Sequence, residues 1–322
     1  MMKALLVAAA VAGLSLPAAV LGQTYPVKPV RYVVPFPAGD SPDIVGRLVS
    51  ERLNRLWGQP VVVENRVGAG GTVGAAVAAK ATPDGYTLFQ CNIASNAIAY
   101  SLYTKLPYEP LRDFAPISRI GTTSSAVVVH PSMPAASIAE FIAYAKANPG
   151  KVSYGSPGVG TSPHLSMELL KLMAHINLVH IAYKGAAPTI ADLLGGQIPA
   201  GIVNIPALLP LLQAGRLRAL AVTGAKRASQ WPSVPTMAEA GMTGYNVTSW
   251  YGLCAPAGTA RPIIDKVHAD LSTVLQAPDV QQRLSDLVID AAPASPEQFA
   301  EFIRSEMGRW AKVVKDAGIP QQ

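Results

Sequence analysis

Past residue 24 the chain alternates between short β-branched runs and longer stretches whose apolar residues recur three or four positions apart. Residues 30–36 read as a strand, and Ile44, Val45, Leu48, Val49, Leu53 and Leu56 as the buried stripe of the helix that follows. A strand at 61–64, a glycine-rich turn, a small-residue helix at 75–80 and a strand at 87–92 come next. Buried strands joined by crossover helices predict a parallel sheet covered on both faces. The programme then restarts. Residues 126–130 predict a strand, and 137–147 a helix with Ser137 and Glu140 set for a capping box. Strands at 152–154, 178–183, 200–205 and 218–223 alternate with helices at 165–173 and 189–194. A strand at 247–253 leads to helices at 263–275 and 296–314. The last begins with Ser295 as cap, Pro296 in the first turn and Gln298 as the N3 partner. Two α/β programmes with a C-terminal return predict two lobes: 24–122 plus 247–322, and 123–246, crossing at 121–125 and 244–249.

The first residues follow a different rule. Met1-Met2-Lys3, apolar residues through 16 and a break at Pro17 fit a secretory signal peptide. Val20 and Gly22 suit the small −3 and −1 positions, which sets cleavage at Gly22/Gln23. Pro17, Gly13 and Ser15 argue against a membrane anchor, so a periplasmic protein is expected. Composition narrows the field further. Half of the 322 residues are apolar and only 14% are charged, which excludes a disordered chain. Two cysteines exclude a disulfide scaffold or a multi-cysteine metal site. The formal charge of +6, one unit of it from Lys3, is spread without basic runs, so no nucleic-acid partner is expected.

The candidate chemistry lies in two loops of matching design. The first strand runs into Pro35-Phe36-Pro37-Ala38-Gly39-Asp40-Ser41-Pro42-Asp43. In the second lobe, Ser156-Pro157-Gly158-Val159-Gly160-Thr161-Ser162-Pro163-His164 does the same. Each Ser-Pro pair reads as a helix cap followed by an N1 proline. Each loop therefore ends at a helix start, whose unpaired N–H groups and dipole favour an anion. Strand ends are also where open α/β sheets bind ligands. Two such loops facing each other would grip one small anion.

Taken with its other segments, the chain resembles the Bug-type (TctC-like) solute-binding receptors of tripartite tricarboxylate transporters. The resemblance runs through Lys28-Pro29-Val30-Arg31, Gly58-Gln59-Pro60-Val61-Val62-Val63-Glu64-Asn65 and Gly68-Ala69-Gly70-Gly71. It continues through Pro83-Asp84-Gly85-Tyr86-Thr87-Leu88, Tyr183-Lys184-Gly185, Leu193-Leu194-Gly195-Gly196-Gln197 and Trp250-Tyr251-Gly252-Leu253. It implies an α/β two-lobed periplasmic-binding-protein fold of type II-like design, closing on a small organic carboxylate without a cofactor or metal. A monomer that delivers its ligand to a pair of membrane permease subunits is expected. On the family pattern Phe36, Ala38, Gly39, Ser41 and Asp43 serve the first loop. Ser156, Gly158, Gly160, Thr161, Ser162 and His164 serve the second, and Asn92 and Asn204 are added at strand ends. One position departs from the pattern: Asp40 stands where a second glycine is usual. It either caps its helix or meets water, or it sets a carboxylate beside the anion grip, disfavouring a second ligand carboxylate such as citrate's and favouring an amine, amide or hydroxyl.

Other residues carry less. Residues 68–74 miss the dinucleotide glycine spacing, and no Walker loop, metalloprotease helix or Gly-x-Ser-x-Gly elbow occurs. The five histidines show no metal spacing. Lys184 reads as a solvated cation, and Trp250 as either a cleft wall or hinge packing. Cys91 and Cys254 are expected to remain two inert thiols, because the proposed strands set one near the cleft and the other far from it. An exported hydrolase using Ser156 or Ser162 with His164, and a ligand sensor for signalling, are the rival functions.

Overall fold

Both faces of strand β1 (Val30–Val34) are covered, which is why four of its five residues can be apolar and buried. In this computed structural model, which describes residues 25–321, β1 pairs in parallel with β2 (Val61–Asn65) and β3 (Thr87–Phe89). Helices α1 (Ser41–Trp57) and α2 (Thr72–Ala79) make the crossovers. After β3 a wide helical turn, Ala94–Ile98, merges into α3 (Ala99–Leu102). The signal-peptide expectation falls outside the described residues.

Strand β4 (Phe114–Val129) joins the two halves. Residues 114–124 pair antiparallel with β9 (Thr248–Pro256). Residues 125–129 pair antiparallel with β7 (Ala200–Asn204) and 126–129 with β8 (Arg218–Val222). The second half is built from α4 (Ile138–Ala147), β5 (Ser153–Ser156), α5 (Ser162–Ala174), β6 (Val179–Ala182) and α6 (Ala186–Leu194), with β5 parallel to β6 and β7. Helix α7 (Ile205–Gln213) follows β7. Strand β9 then returns the chain to the first sheet, between β3 and β4. Helices α8 (Arg261–Gln276) and α9 (Pro278–Asp286), the short β10 (Asp290–Ala291) and α10 (Pro296–Asp316) complete it.

Each half holds the expected parallel strands as a trio, and antiparallel β4 and β9 link the two. Three expectations about helix starts shift. The N-caps of α1 and α5 are Asp40 and Thr161, so each serine takes the first helical position and each proline the second. Ser137 caps α4 through the Glu140 N–H (3.2 Å), but the Glu140 carboxylate reaches Ala136 N (2.6 Å) and leaves the box half made. The box at Ser295 and Gln298 is complete. Helix α7 is apolar almost throughout and has prolines at 206 and 210, and α9 is nine residues long, so the periodicity overlooked both.

Cys91 and Cys254 form a disulfide, which corrects the expectation of two separate thiols. Strand β9 lies directly beside β3, with Phe89 opposite Cys254. The end of β3 therefore carries Cys91 alongside its partner. The antiparallel return was expected, but not that it would neighbour β3. Thiol titration of the denatured, unreduced protein should find no free thiol. Replacing both cysteines with serine should cost about 2–4 kcal/mol of stability, read from chemical denaturation.

Candidate functional site

The first loop leaves β1 at Val34. Gly39, at φ +83°, turns it in a region open to glycine, and its N–H donates to Asp43 Oδ2 (2.9 Å). Asp43 also accepts from Arg47 Nε (2.8 Å) and from Asn65 Nδ2 (2.8 Å), which in addition donates to the Phe36 carbonyl (2.8 Å). Burial alone would raise the Asp43 carboxyl. The hydrogen bonds from Arg47, Asn65 and Gly39 outweigh it and hold the group below the usual carboxylate range. Asp43 is thus a brace for the loop and does not line the cavity, while Ala38 and Gly39 are exposed.

The second loop is braced in a comparable way. Thr161 Oγ1 donates to the Gly158 carbonyl (2.7 Å), and Ser156 Oγ meets His180 Nε2 (2.8 Å). His164 Nδ1 accepts the Gly160 N–H (3.3 Å), so the neutral ring carries its proton on Nε2. The His164 ring stacks on His180 (4.2 Å between centroids), and His180 stacks on Tyr154 (4.8 Å). Burial pushes both imidazoles down to about 4, leaving them uncharged near neutral pH. Expected as ligand contacts, Ser156, Gly160 and His164 sit behind the loop and hold its shape. Neither Ser156 nor Ser162 is paired with His164.

Between the loops lies a cavity of ≈ 30 Å³, room for roughly two water molecules. Of the expected residues, Phe36, Asp40, Ser41, Asn92, Thr161, Ser162 and Asn204 line it. The Asn92 side chain is committed locally: its Oδ1 accepts from Ala94 N (3.0 Å) and Ser95 N (3.2 Å) and starts the turn after β3. Ser249, Tyr251 and Ala186 also line the cavity and were not anticipated as contacts. An outer recess of ≈ 260 Å³ adjoins it, sharing Phe36, Pro157 and Thr161 and including Gly158, the 68–71 glycine turn and the exposed Lys184. Trp250 faces away, packing edge-on against Phe299 and Phe302 with Nε1 donating to Glu306 (3.2 Å), so it is hinge packing.

The floor is a hydrogen-bond network that joins both crossings. Asn204 Oδ1 accepts from Ser125 Oγ (2.7 Å) and from Ser249 Oγ (2.9 Å). The single Ser249 proton is thereby used, so the Ser162 hydroxyl must be the donor across the 2.6 Å contact between them. Asn204 Nδ2 donates to the Tyr251 hydroxyl oxygen (3.3 Å), leaving the tyrosine proton free to donate elsewhere. Ser41 Oγ is buried beside the Tyr251 hydroxyl. The first N–H groups of α1 and α5, on Ser41 and Ser162, have no acceptor within their helices. These are neutral donors, and no Lys or Arg lines the cavity.

Asp40 occupies the N-cap position of α1 but makes no side-chain bond to that helix. Its Oδ1 instead accepts the N–H of Ala186, the first residue of α6, at 2.8 Å across the cleft. It is 4% exposed, so it neither caps its own helix nor meets bulk water. Burial pushes its carboxyl up to about 6, with Asp43 adding repulsion and the Ala186 N–H opposing both. The folded chain therefore holds this proton to higher pH than the unfolded chain, whose carboxyl titrates near 3.8. Stability falls as pH rises through that window and stays reduced above it. Asp40→Asn should raise the unfolding midpoint at pH 7.5 by a few degrees, for about 1–3 kcal/mol, and the gap to wild type should close below pH 4. Thermal melts from pH 3.5 to 8 check this.

Two α/β halves linked by paired strands, with a cavity between two helix starts, define a two-lobed binding protein. Residues 45–319 match the family described as "Tripartite tricarboxylate transporter family receptor", and the chain belongs to that family. Protein BugT of Bordetella pertussis is 38% identical over 310 residues, 96% of this chain and 94% of that protein. Among solved structures, R. palustris Rpa4515 with adipate is 36% identical with a TM-score of 0.90, covering 92% of this chain and 99% of the other. The periplasmic binding protein BugD is also 36% identical, with a TM-score of 0.88 over 92% of this chain and 100% of the other.

Proposed function

We propose that this receptor captures a small organic carboxylate between its lobes in the periplasm and hands it to membrane permease subunits. The observation that carries this reading is the pair of helix starts at Ser41 and Ser162 flanking one buried cavity furnished with neutral donors. The adipate in the related Rpa4515 structure supports a carboxylate. Ser41, the Ser162 N–H and the Tyr251 hydroxyl hold the acid group, and the rest of the ligand extends into the outer recess. Lobe one comprises 24–122 plus 247–322 and lobe two 123–246. They rotate about the crossings in β4 and before β9, driven by the greater affinity of the closed form. Export with cleavage at Gly22/Gln23 agrees with the Cys91–Cys254 disulfide, a bond suited to an oxidising compartment. The protein acts as a monomer and performs no chemistry, consistent with the full burial of Ser156. Among the described residues no helix is long and apolar enough to cross a membrane.

Thermal unfolding against mono-, di- and tricarboxylates tests this function. A ligand at 100 times its Kd should add about 2.7 kcal/mol, and scattering should show the radius of gyration shrinking on binding. A panel that shifts nothing overturns the carboxylate reading.

Closure brings the backbone at glycines hard against the opposite loop. A Cβ on Gly70 would lie 2.8 Å from the Val159 carbonyl, and one on Gly185 (φ +120°) would lie 2.9 Å from Pro37 Cγ. Gly185→Ala should weaken ligand binding about tenfold or more by holding the lobes apart. Gly215→Ala, with φ +63° and open space around its Cβ, should leave affinity unchanged. Isothermal titration of both variants decides it.

A further inference from the structure

Asp40 is a buried carboxylate without a cationic partner among the described residues. Its nearest charged neighbour on its own element is Asp43, of the same sign. Tyr251 faces it from β9, and the Gly185–Ala186 backbone from α6. Among the described residues the lysine beside this backbone is Lys184, exposed in the outer recess. One carboxylate oxygen, Oδ1, is taken by Ala186 N–H. The other lies beside Gly185, 3.3 Å from where a Cβ would stand. An unpaired buried charge is costly, and such groups concentrate where a ligand completes them.

We propose that Asp40 is a specificity residue that takes the ammonium of an α-amino acid whose carboxylate is seated between α1 and α5. This rests on the carboxylate function above. The cavity is small enough that the atoms joined directly to a seated carboxylate must lie against its walls, and Asp40 is the only acidic side chain among them. It immediately precedes Ser41, whose N–H opens the seat, so an α-substituent of the ligand falls next to it. An ammonium there finds the opposite charge it needs and removes the cost of the unpaired carboxylate. A hydrogen or hydroxyl at the α-carbon leaves that cost in place. A distal acidic group can still extend toward Lys184 at the mouth, so selection acts at the α-carbon and not on total charge.

The test is calorimetric titration with matched sets that differ only at the α-carbon: alanine, propionate and lactate; glutamate, glutarate and 2-hydroxyglutarate; and the same for leucine and phenylalanine. Each set is run on wild type, Asp40→Asn and Asp40→Gly at pH 7.5. Asp40→Asn keeps an acceptor for Ala186, removes the charge and replaces the second carboxylate oxygen with an amide NH2. The expected result is that wild type prefers an amino acid over its des-amino analogue by tenfold or more, and that both variants lose the preference. The inference is overturned, with the carboxylate function intact, if wild type binds a des-amino or hydroxy acid as tightly as its amino counterpart. It is equally overturned if both variants keep the preference. If no carboxylate in these sets or in the wider panel binds any of the three proteins, the carboxylate function itself falls and takes this inference with it.

Discussion

Strand β4 has to serve two sheets at once, and most of the architecture follows from that. Its first eleven residues bond to β9 and the rest to β7 and β8, so the backbone of one strand is shared between two cores. The change of partner falls at Ser124 and Ser125, where a small polar side chain can point into the cleft. Ser125 thereby meets Asn204 from β7 and, through it, Ser249 from β9. A network of four short polar residues occupies the place where the halves join, and the anion seat rests on it. The same arrangement explains the disulfide, because a β9 that must lie beside β4 is also brought beside β3.

The electrostatics of the site come from dipoles and hydroxyls. A carboxylate between Ser41 and Ser162 would be met by N–H groups and hydroxyl protons in fixed directions, without the long, flexible side chains a lysine or arginine would bring. Such donors keep their orientation before the ligand arrives, so little reorganisation is needed when it binds. The cost is carried behind the loops, where Asp43, Asn65, His164 and His180 hold the backbone in place. The two neutral imidazoles are part of that framework: ring stacking and a single accepted N–H define the turn at Gly160 without adding a charge that would compete for the ligand. Against this neutral background the Asp40 carboxylate is the one charged side chain among the described residues that line the cavity, and it bridges the halves by accepting the first N–H of α6.

The two-lobed α/β plan, the paired loops and the helix starts were legible in the chain because each depends on local patterning: β-branched runs, stripes three or four apart, and Ser-Pro at helix beginnings. The division of labour within the loops was not. Asp43 and His164 stand at the same offsets as residues that would touch a ligand, and only their partners, Asn65 and His180, show that they face away. Both partners come from strand ends distant in sequence. Tyr251 and Ser249 were hidden for a related reason: the segment around 247–253 reads as an ordinary strand, and nothing local says which strands it separates.

From the sequence alone came the elements, the family likeness and the chemical character of the two loops, since these are set by neighbouring residues acting over one or two turns. The tertiary structure decided strand order, the pairing of Cys91 with Cys254, the committed and free hydroxyls of the floor, and the destination of the Asp40 carboxylate. A carboxylate at a helix N-cap would ordinarily bond to its own helix. Whether it does so or reaches a second helix across a cleft depends on how closely two distant parts of the chain approach, a distance fixed by packing and not by any local pattern.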